Sequence, residues 1–163
     1  MHSTGHTARR TATQPEPSNR LSCPHPDQGE REALWEILSD LFVDGEICWR
    51  GIIRGCVGYD PDLLRQILFD DVLPYCGPNI MAPIPPVWNG FERESLIAGI
   101  RAKRAAREAS LWRQCLHTAQ IWFYRWWFRE LWAAFFTRLN RAAAARTPEE
   151  LENILADPFF DTA

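Results

Sequence analysis

The sequence predicts an all-α fold: a small helical bundle with a Pro-rich ordered strap and a long basic, aromatic-rich helix or helical hairpin. Three observations lead there. Apolar residues recur at three- and four-residue spacing in several segments, and no segment alternates apolar with polar as a half-buried strand does. Between Glu92 and Pro148 there is no proline, and after Gly99 no glycine, so a stretch rich in Ala, Leu and Arg runs without a helix breaker. At 163 residues the chain has room for one modest domain plus appendages and can bury a real core.

Residues 1–26 read as a disordered leader, rich in Pro, Ser and Thr and without apolar periodicity. No apolar stretch follows Arg9-Arg10, so nothing there resembles an export signal. His2, His6, Cys23 and His25 have ligand chemistry, but nothing rigid groups them and no metal is predicted.

Residues 27–100 form an acidic helical region. Asp27 and Glu30 have capping-box spacing, and Ala33, Leu34, Ile37, Leu38, Leu41 and Phe42 then mark one buried stripe. Asp44-Gly45 ends this helix. A second follows with Ile47, Ile52, Ile53 and Cys56 inward, weakened or brought close to a neighbour by Gly51 and Gly55. The clearest start in the chain is Asp60-Pro61-Asp62: an N-cap, a proline at the first helical position and an acid at the positive helix end. Leu63, Leu64, Ile67, Leu68 and Val72 supply its stripe, and Pro74 is expected to stop it. Residues 74–91 then hold five prolines and two glycines, which predicts an extended strap laid over the helices with Trp88 as its anchor.

Residues 101–146 form a basic, aromatic helical region, with a break into two helices expected near Glu108 to Leu111. Residues 147–163 form a short acidic helix and tail, opened by Thr147, Pro148 and Glu150. The net charge of −3 hides a division. Asp27 to Ile100 holds thirteen acidic and five basic residues, whereas Arg101 to Arg146 holds ten basic and two acidic. Either the two parts attract each other or each addresses a different partner.

The segments "LWEILSDLFVDGEI", "LRQILFDDVLPYCGPNI" and "WNGF" resemble a family of small bacterial proteins catalogued as a domain of unknown function. The likeness covers about residues 30–100. It rests on the Leu-Phe-x-Asp helix close, the Asp-Val-x-Pro exit, the Gly-Pro-Asn turn and the Trp-x-Gly-Phe corner. Such marks imply a shared fold and bring no substrate, cofactor or catalytic residue.

Five cysteines with no Cys-x-x-Cys pair argue against a disulfide framework and for reduced, buried thiols in a cytoplasmic protein. No Gly-rich phosphate loop, nucleophile elbow or zinc spacing occurs, so neither a cofactor nor a catalytic residue is predicted. The acidic pairs Asp40/Asp44 and Asp70/Asp71 read as turn and helix-end residues, and His117 as a seam histidine.

The unusual segment is residues 121–136, with nine aromatic side chains in sixteen positions. On a wheel over residues 111–140 two apolar faces appear. One carries Trp112, Leu116, Ala119, Phe123, Trp126, Trp127 and Ala134; the other Ile121, Tyr124, Phe128, Leu131, Trp132, Phe135 and Leu139. Arg113, Gln120 and Arg138 lie on one seam, and Thr118, Arg125, Arg129 and Asn140 on the other. With Arg125, Arg129 and Glu130 near its middle, this helix is not expected to span a bilayer. It is expected as the central helix of the bundle, with Arg125 and Arg129 stacked on Trp122, Trp126 and Trp132. Surplus aromatic area would then contact a partner or a second copy.

These features predict a non-enzymatic protein-binding protein. Its acidic face, formed by Glu32, Glu36, Asp40, Asp44, Glu46, Asp60, Asp62, Asp70 and Asp71, would receive a basic partner, as an immunity- or inhibitor-like protein does. The alternative is a peripheral membrane adaptor that sets residues 101–141 against an anionic surface. Nucleic acid is disfavoured by the acidic core, and an enzyme of unknown type is the third reading.

Overall fold

A computed structural model describes residues 26–83, 90–158 and 160. The leader with its histidines and Cys23 lies outside the described residues, as do Ile84, Val87 and the expected anchor Trp88. The described residues form eight α-helices and no strand. They are α1 (Gln28–Ser39), α2 (Trp49–Cys56), α3 (Pro61–Ile67), α4 (Leu73–Met81), α5 (Arg93–Glu108), α6 (Leu111–Trp127), α7 (Arg129–Ala143) and α8 (Pro148–Ala156).

The start signals work as the sequence predicts. The Asp27 carboxylate accepts from the Glu30 N–H and the Glu30 carboxylate accepts from the Asp27 N–H, a complete capping box for α1. Asp60 caps α3 by accepting from the Asp62 and Leu63 N–H groups, and Thr147 caps α8 by accepting from Glu150 N–H. A 3₁₀ turn over Asp40–Phe42 closes α1 and turns Leu41 and Phe42 into the core. That core is built from Leu34, Trp35, Leu38, Ile52, Ile53, Leu64, Ile67, Leu68, Val72, Leu96, Ile100, Phe135 and Leu139. Helix α2 approaches α1 closely at Gly55, where a Cβ would come within 2.7 Å of Ile37 Cδ1. Gly55 is thus a packing point rather than a break.

The Pro-rich stretch departs from expectation. Pro74 does not stop the third helix, and residues 73–81 are helical, not extended. A proline at position i removes one helical donor and drives its ring against the carbonyl of residue i−4. Both problems are solved here. A π-helical turn over Leu68–Val72, with Leu73 N–H bonded to Leu68 O, widens the backbone ahead of Pro74. The carbonyls that Pro74 and Pro78 leave without a helical donor are those of Asp70 and Pro74. Arg107 donates to Asp70 O at 2.8 Å, and Lys103 donates to Pro74 O at 2.8 Å. Those two donors sit one turn apart on α5, so that helix repairs the proline-interrupted helix it packs on. Gly99 permits the approach: a Cβ there would lie 2.1 Å from the Tyr75 ring.

The basic region is three helices rather than one or two. It breaks at Ala109–Ser110, where a break was expected, and again at Phe128. The change of charge at residue 100 falls inside α5 and marks no structural boundary. Of the described cysteines, Cys56 and Cys76 are buried, and burial pushes the Cys56 thiol up to about 12. Cys48 and Cys115 are exposed, contrary to the expectation of uniformly buried thiols.

Candidate functional site

The acidic face expected to receive a partner is partly neutralised from within. Asp71 is buried at the centre of a cluster. Its Oδ2 accepts from Arg31 Nε (2.9 Å) and Nη2 (2.7 Å), from the Trp35 indole N–H (3.0 Å) and from Arg104 (3.1 Å). Glu32 pairs with Arg101, and Glu36 with Arg93. The Glu32 carboxyl is held below its usual range by its hydrogen bond from Gln28 and then by Arg101. Asp60 is spent on its cap, whereas Asp62, 3.6 Å from Arg65, and Asp70, 3.8 Å from His117, have no hydrogen-bonded cation. Of the nine carboxylates of that face, Asp40, Asp44 and Glu46 are exposed with neither a cation within 4 Å nor a capping role among the described residues. Burial, and next the charge of Glu36, raise the Asp40 carboxyl above its usual value.

The cations that do this work come mainly from α5. Arg101, Lys103, Arg104 and Arg107 all reach into the α1–α4 layer. The basic stretch therefore folds back on the acidic one. Such long-range pairs leave no signal in a local reading of charge. Arg107 also donates to His117 Nε2 at 2.7 Å, so that nitrogen is the acceptor and the imidazole is neutral with its proton on Nδ1. Burial, followed by the Arg107 charge, lowers the His117 pKa; Asp70 and Asp71 oppose the shift and do not reverse it.

The aromatic segment splits along the two faces of the wheel. Tyr124, Trp132, Phe135 and Leu139 are buried, and Ile121, Phe128 and Leu131 pack beside them. The other face is open. On it Trp112 is 71 % exposed and Trp126 and Trp127 each 55 %, with Leu116 exposed and Phe123 and Ala134 partly buried. Trp122, 74 % exposed, and Leu111 are exposed too, although the wheel set them on neither face. Trp126 and Trp127 meet edge to face with centroids 6.1 Å apart, and Phe123 lies 5.6 Å from Trp127. A central helix covered on both sides is thus the wrong picture for α6. It lies on the bundle with its back in the core and a ridge of four tryptophans outward. The bend at Phe128 then carries α7 inward, where Trp132 packs between Phe42, Phe69 and Phe128.

Arginine stacking occurs on other rings than expected. Arg125 lies over Phe69 at 4.5 Å, and Arg129 reaches Glu130 at 3.6 Å. Arg65, which the sequence did not single out, lies over Phe136 at 4.8 Å. With Arg125 and Arg129 it lines an open groove of about 290 Å³, floored by Phe69, Trp132 and Phe136. No cluster of His, Cys, Asp and Glu able to hold a metal ion occurs among the described residues, and no described helix is long and apolar enough to cross a membrane.

No curated protein and no solved structure matches the chain. A family model does match, over residues 29–138, and it carries the resemblance past residue 100, through all of α6 and into α7 as far as Arg138. The tryptophan ridge is therefore inside the family's domain and is not an appendage to it. Covering well over half of the chain, this match shows that the protein belongs to the family described as a domain of unknown function (DUF7079).

Proposed function

We propose that the protein is a non-enzymatic peripheral adaptor that docks on an anionic bilayer surface through the outward face of α6. One observation carries this reading. Trp112, Trp122, Trp126 and Trp127 stand exposed on a helix whose opposite face is held by the core, and no acidic residue occurs along Leu111–Trp127. Indole rings favour the interface between headgroups and acyl chains, and arginines at positions 113 and 125 favour anionic headgroups. A free amphipathic helix needs its own polar face to lie on a bilayer; here the folded bundle takes that role. The apolar patch is also flanked by Arg113 and Arg125, which suits an anionic surface better than a neutral small molecule.

Flotation of the full-length protein with neutral and anionic vesicles tests this. Cutting the chain at Ile100 would remove Tyr124, Phe135 and Leu139 from the core, so point variants are the cleaner tool. Each indole transferred from water contributes about 2 kcal/mol. Trp122→Ser with Trp126→Ser should therefore lower vesicle affinity by more than tenfold, while the unfolding midpoint stays near that of the parent. Equal flotation of parent and variant would sink the reading. So would a parent that ignores vesicles but forms a dimer the same two substitutions abolish.

A second reading keeps the acidic surface. Asp40, Asp44 and Glu46 are exposed and unpaired near the end of α1, where a basic protein partner would find them. Charge reversal at these three positions should release such a partner. A partner still bound after reversal would remove this reading.

A further inference from the structure

The groove between α3, the π-helical turn, α6 and α7 combines several cations with an aromatic floor. Three guanidinium groups, Arg65, Arg125 and Arg129, line it together with Phe69, Trp132, Ala133 and Phe136, and no acidic residue does. Two of the three are held in place by ring faces, Arg125 by Phe69 and Arg65 by Phe136. Their acidic neighbours do not occupy them. Asp62 to Arg65 and Glu130 to Arg129 are both 3.6 Å, too long for a hydrogen bond, and these carboxylates are 88 % and 90 % exposed. Arg31 and Arg104 make the contrast, being hydrogen-bonded to the buried carboxylate of Asp71. Like charges gathered in a cleft without an acceptor make a site for an anion.

We infer that this groove binds a phosphomonoester, the terminal phosphate of an anionic lipid headgroup. A phosphomonoester carries nearly two negative charges at neutral pH and three acceptor oxygens, which suits planar forks arriving from several directions. The cavity of about 290 Å³ holds a phosphate with its glycerol, and the aromatic floor offers an apolar wall to the carbon adjoining it. The position fits as well. Arg125 is one turn beyond Trp122 on α6 and lies on the seam beside the tryptophan ridge, so a headgroup would meet the groove as the ridge enters the interface. This inference rests on the bilayer reading of α6 for the source of its ligand, though not for the phosphate chemistry.

The test compares vesicles of phosphatidylcholine doped with phosphatidic acid or with phosphatidylserine, matched in zeta potential, and adds calorimetric titration with glycerol 3-phosphate. The parent should bind phosphatidic acid vesicles at least tenfold more tightly than phosphatidylserine vesicles. In R125K/R129K, which keeps both charges and loses the forks, that ratio should fall to about one. A parent ratio near one, without glycerol 3-phosphate binding, overturns the site and leaves the bilayer reading standing. Should the parent ignore all vesicles yet bind glycerol 3-phosphate, and R125K/R129K lose it, the phosphate site stands with a soluble source and the bilayer reading falls. A ratio unchanged in R125K/R129K also overturns the site, because charge alone would then explain the preference.

Discussion

Helices α5 and α6 are neighbours in sequence, similar in length and both rich in arginine or tryptophan, yet the fold uses them in opposite ways. Helix α5 turns its cations inward. Arg101, Lys103, Arg104 and Arg107 each meet a carboxylate or a freed carbonyl of the α1–α4 layer. Helix α6 turns part of its apolar surface outward, leaving four tryptophans in solvent and its buried contacts to residues such as Tyr124. Residues that composition reads as sticky to anions are consumed by structure in α5. Residues that composition reads as core are presented to solvent in α6. The exposed set is therefore the one that needs a functional explanation.

Removing the charge that holds α5 in place should break this contrast most severely. Asp71 has a fully buried side chain and holds two arginines and an indole. In Asp71→Ala, Arg31 and Arg104 lose their shared partner at the centre of the α1–α5 contact. Breaking a buried pair from one side costs about 3–5 kcal/mol. Urea unfolding should show that loss, against a change within about 0.5 kcal/mol for a surface substitution such as Trp122→Ser. If Asp71→Ala proves as stable as the parent, the cluster does not anchor α5.

A milder break concerns the prolines. Arg107→Met keeps much of the side-chain volume but removes the donor to Asp70 O, leaving a part-buried carbonyl without its partner. The expected cost is about 1–3 kcal/mol. Lys103→Met does the same at Pro74 O, also part-buried, and should cost a similar amount. If the mechanism is right, the double variant also speeds amide exchange within α4, because that helix loses both supports. Exchange in α4 that stays at the parent rate would show that the π-helical turn alone accommodates the two prolines.

These same contacts explain what could be read from the sequence and what could not. The caps at Asp27, Asp60 and Thr147 were legible because each is closed within three residues. The division of the aromatic segment into two faces was legible because helical periodicity is local, and the face with Tyr124, Trp132, Phe135 and Leu139 is the buried one. Helix α4 was illegible. Its prolines are tolerated through donors 29 and 37 residues away, and breaker rules assume that no such donor exists. The pairing within the acidic face was hidden for the same reason, since Glu32 meets Arg101 at a separation of 69 residues and Asp71 meets Arg31 at 40. The groove gave no advance sign at all, because Arg65 reaches it from a different helix.

The smallest effect sharpens the seam between the two helices and depends on pH. His117 belongs to α6, but its Nε2 accepts a hydrogen bond from Arg107 of α5, the same guanidinium that supports Asp70 O. Protonating His117 sets two donors against each other at 2.7 Å and adds a second positive charge beside the first. Burial and the Arg107 charge accordingly lower its pKa from the usual 6.5, with Asp70 and Asp71 pulling weakly the other way. In the unfolded chain the histidine binds its proton at a higher pH than in the folded one. Between the lowered folded pKa and about 6.5, the unfolded state therefore holds more protons, and stability must rise with pH through that window. The contribution is fully present above about pH 6.5 and is lost as the solution is acidified. Urea midpoints at about pH 7.5 and about pH 5 should differ more for the parent than for His117→Gln, which keeps a neutral acceptor for Arg107. Carboxylates whose titration is shifted upward, such as Asp40, are common to both proteins and cancel in the comparison. If the parent instead gained stability on acidification relative to His117→Gln, the Asp70 carboxylate at 3.8 Å would govern this site rather than Arg107.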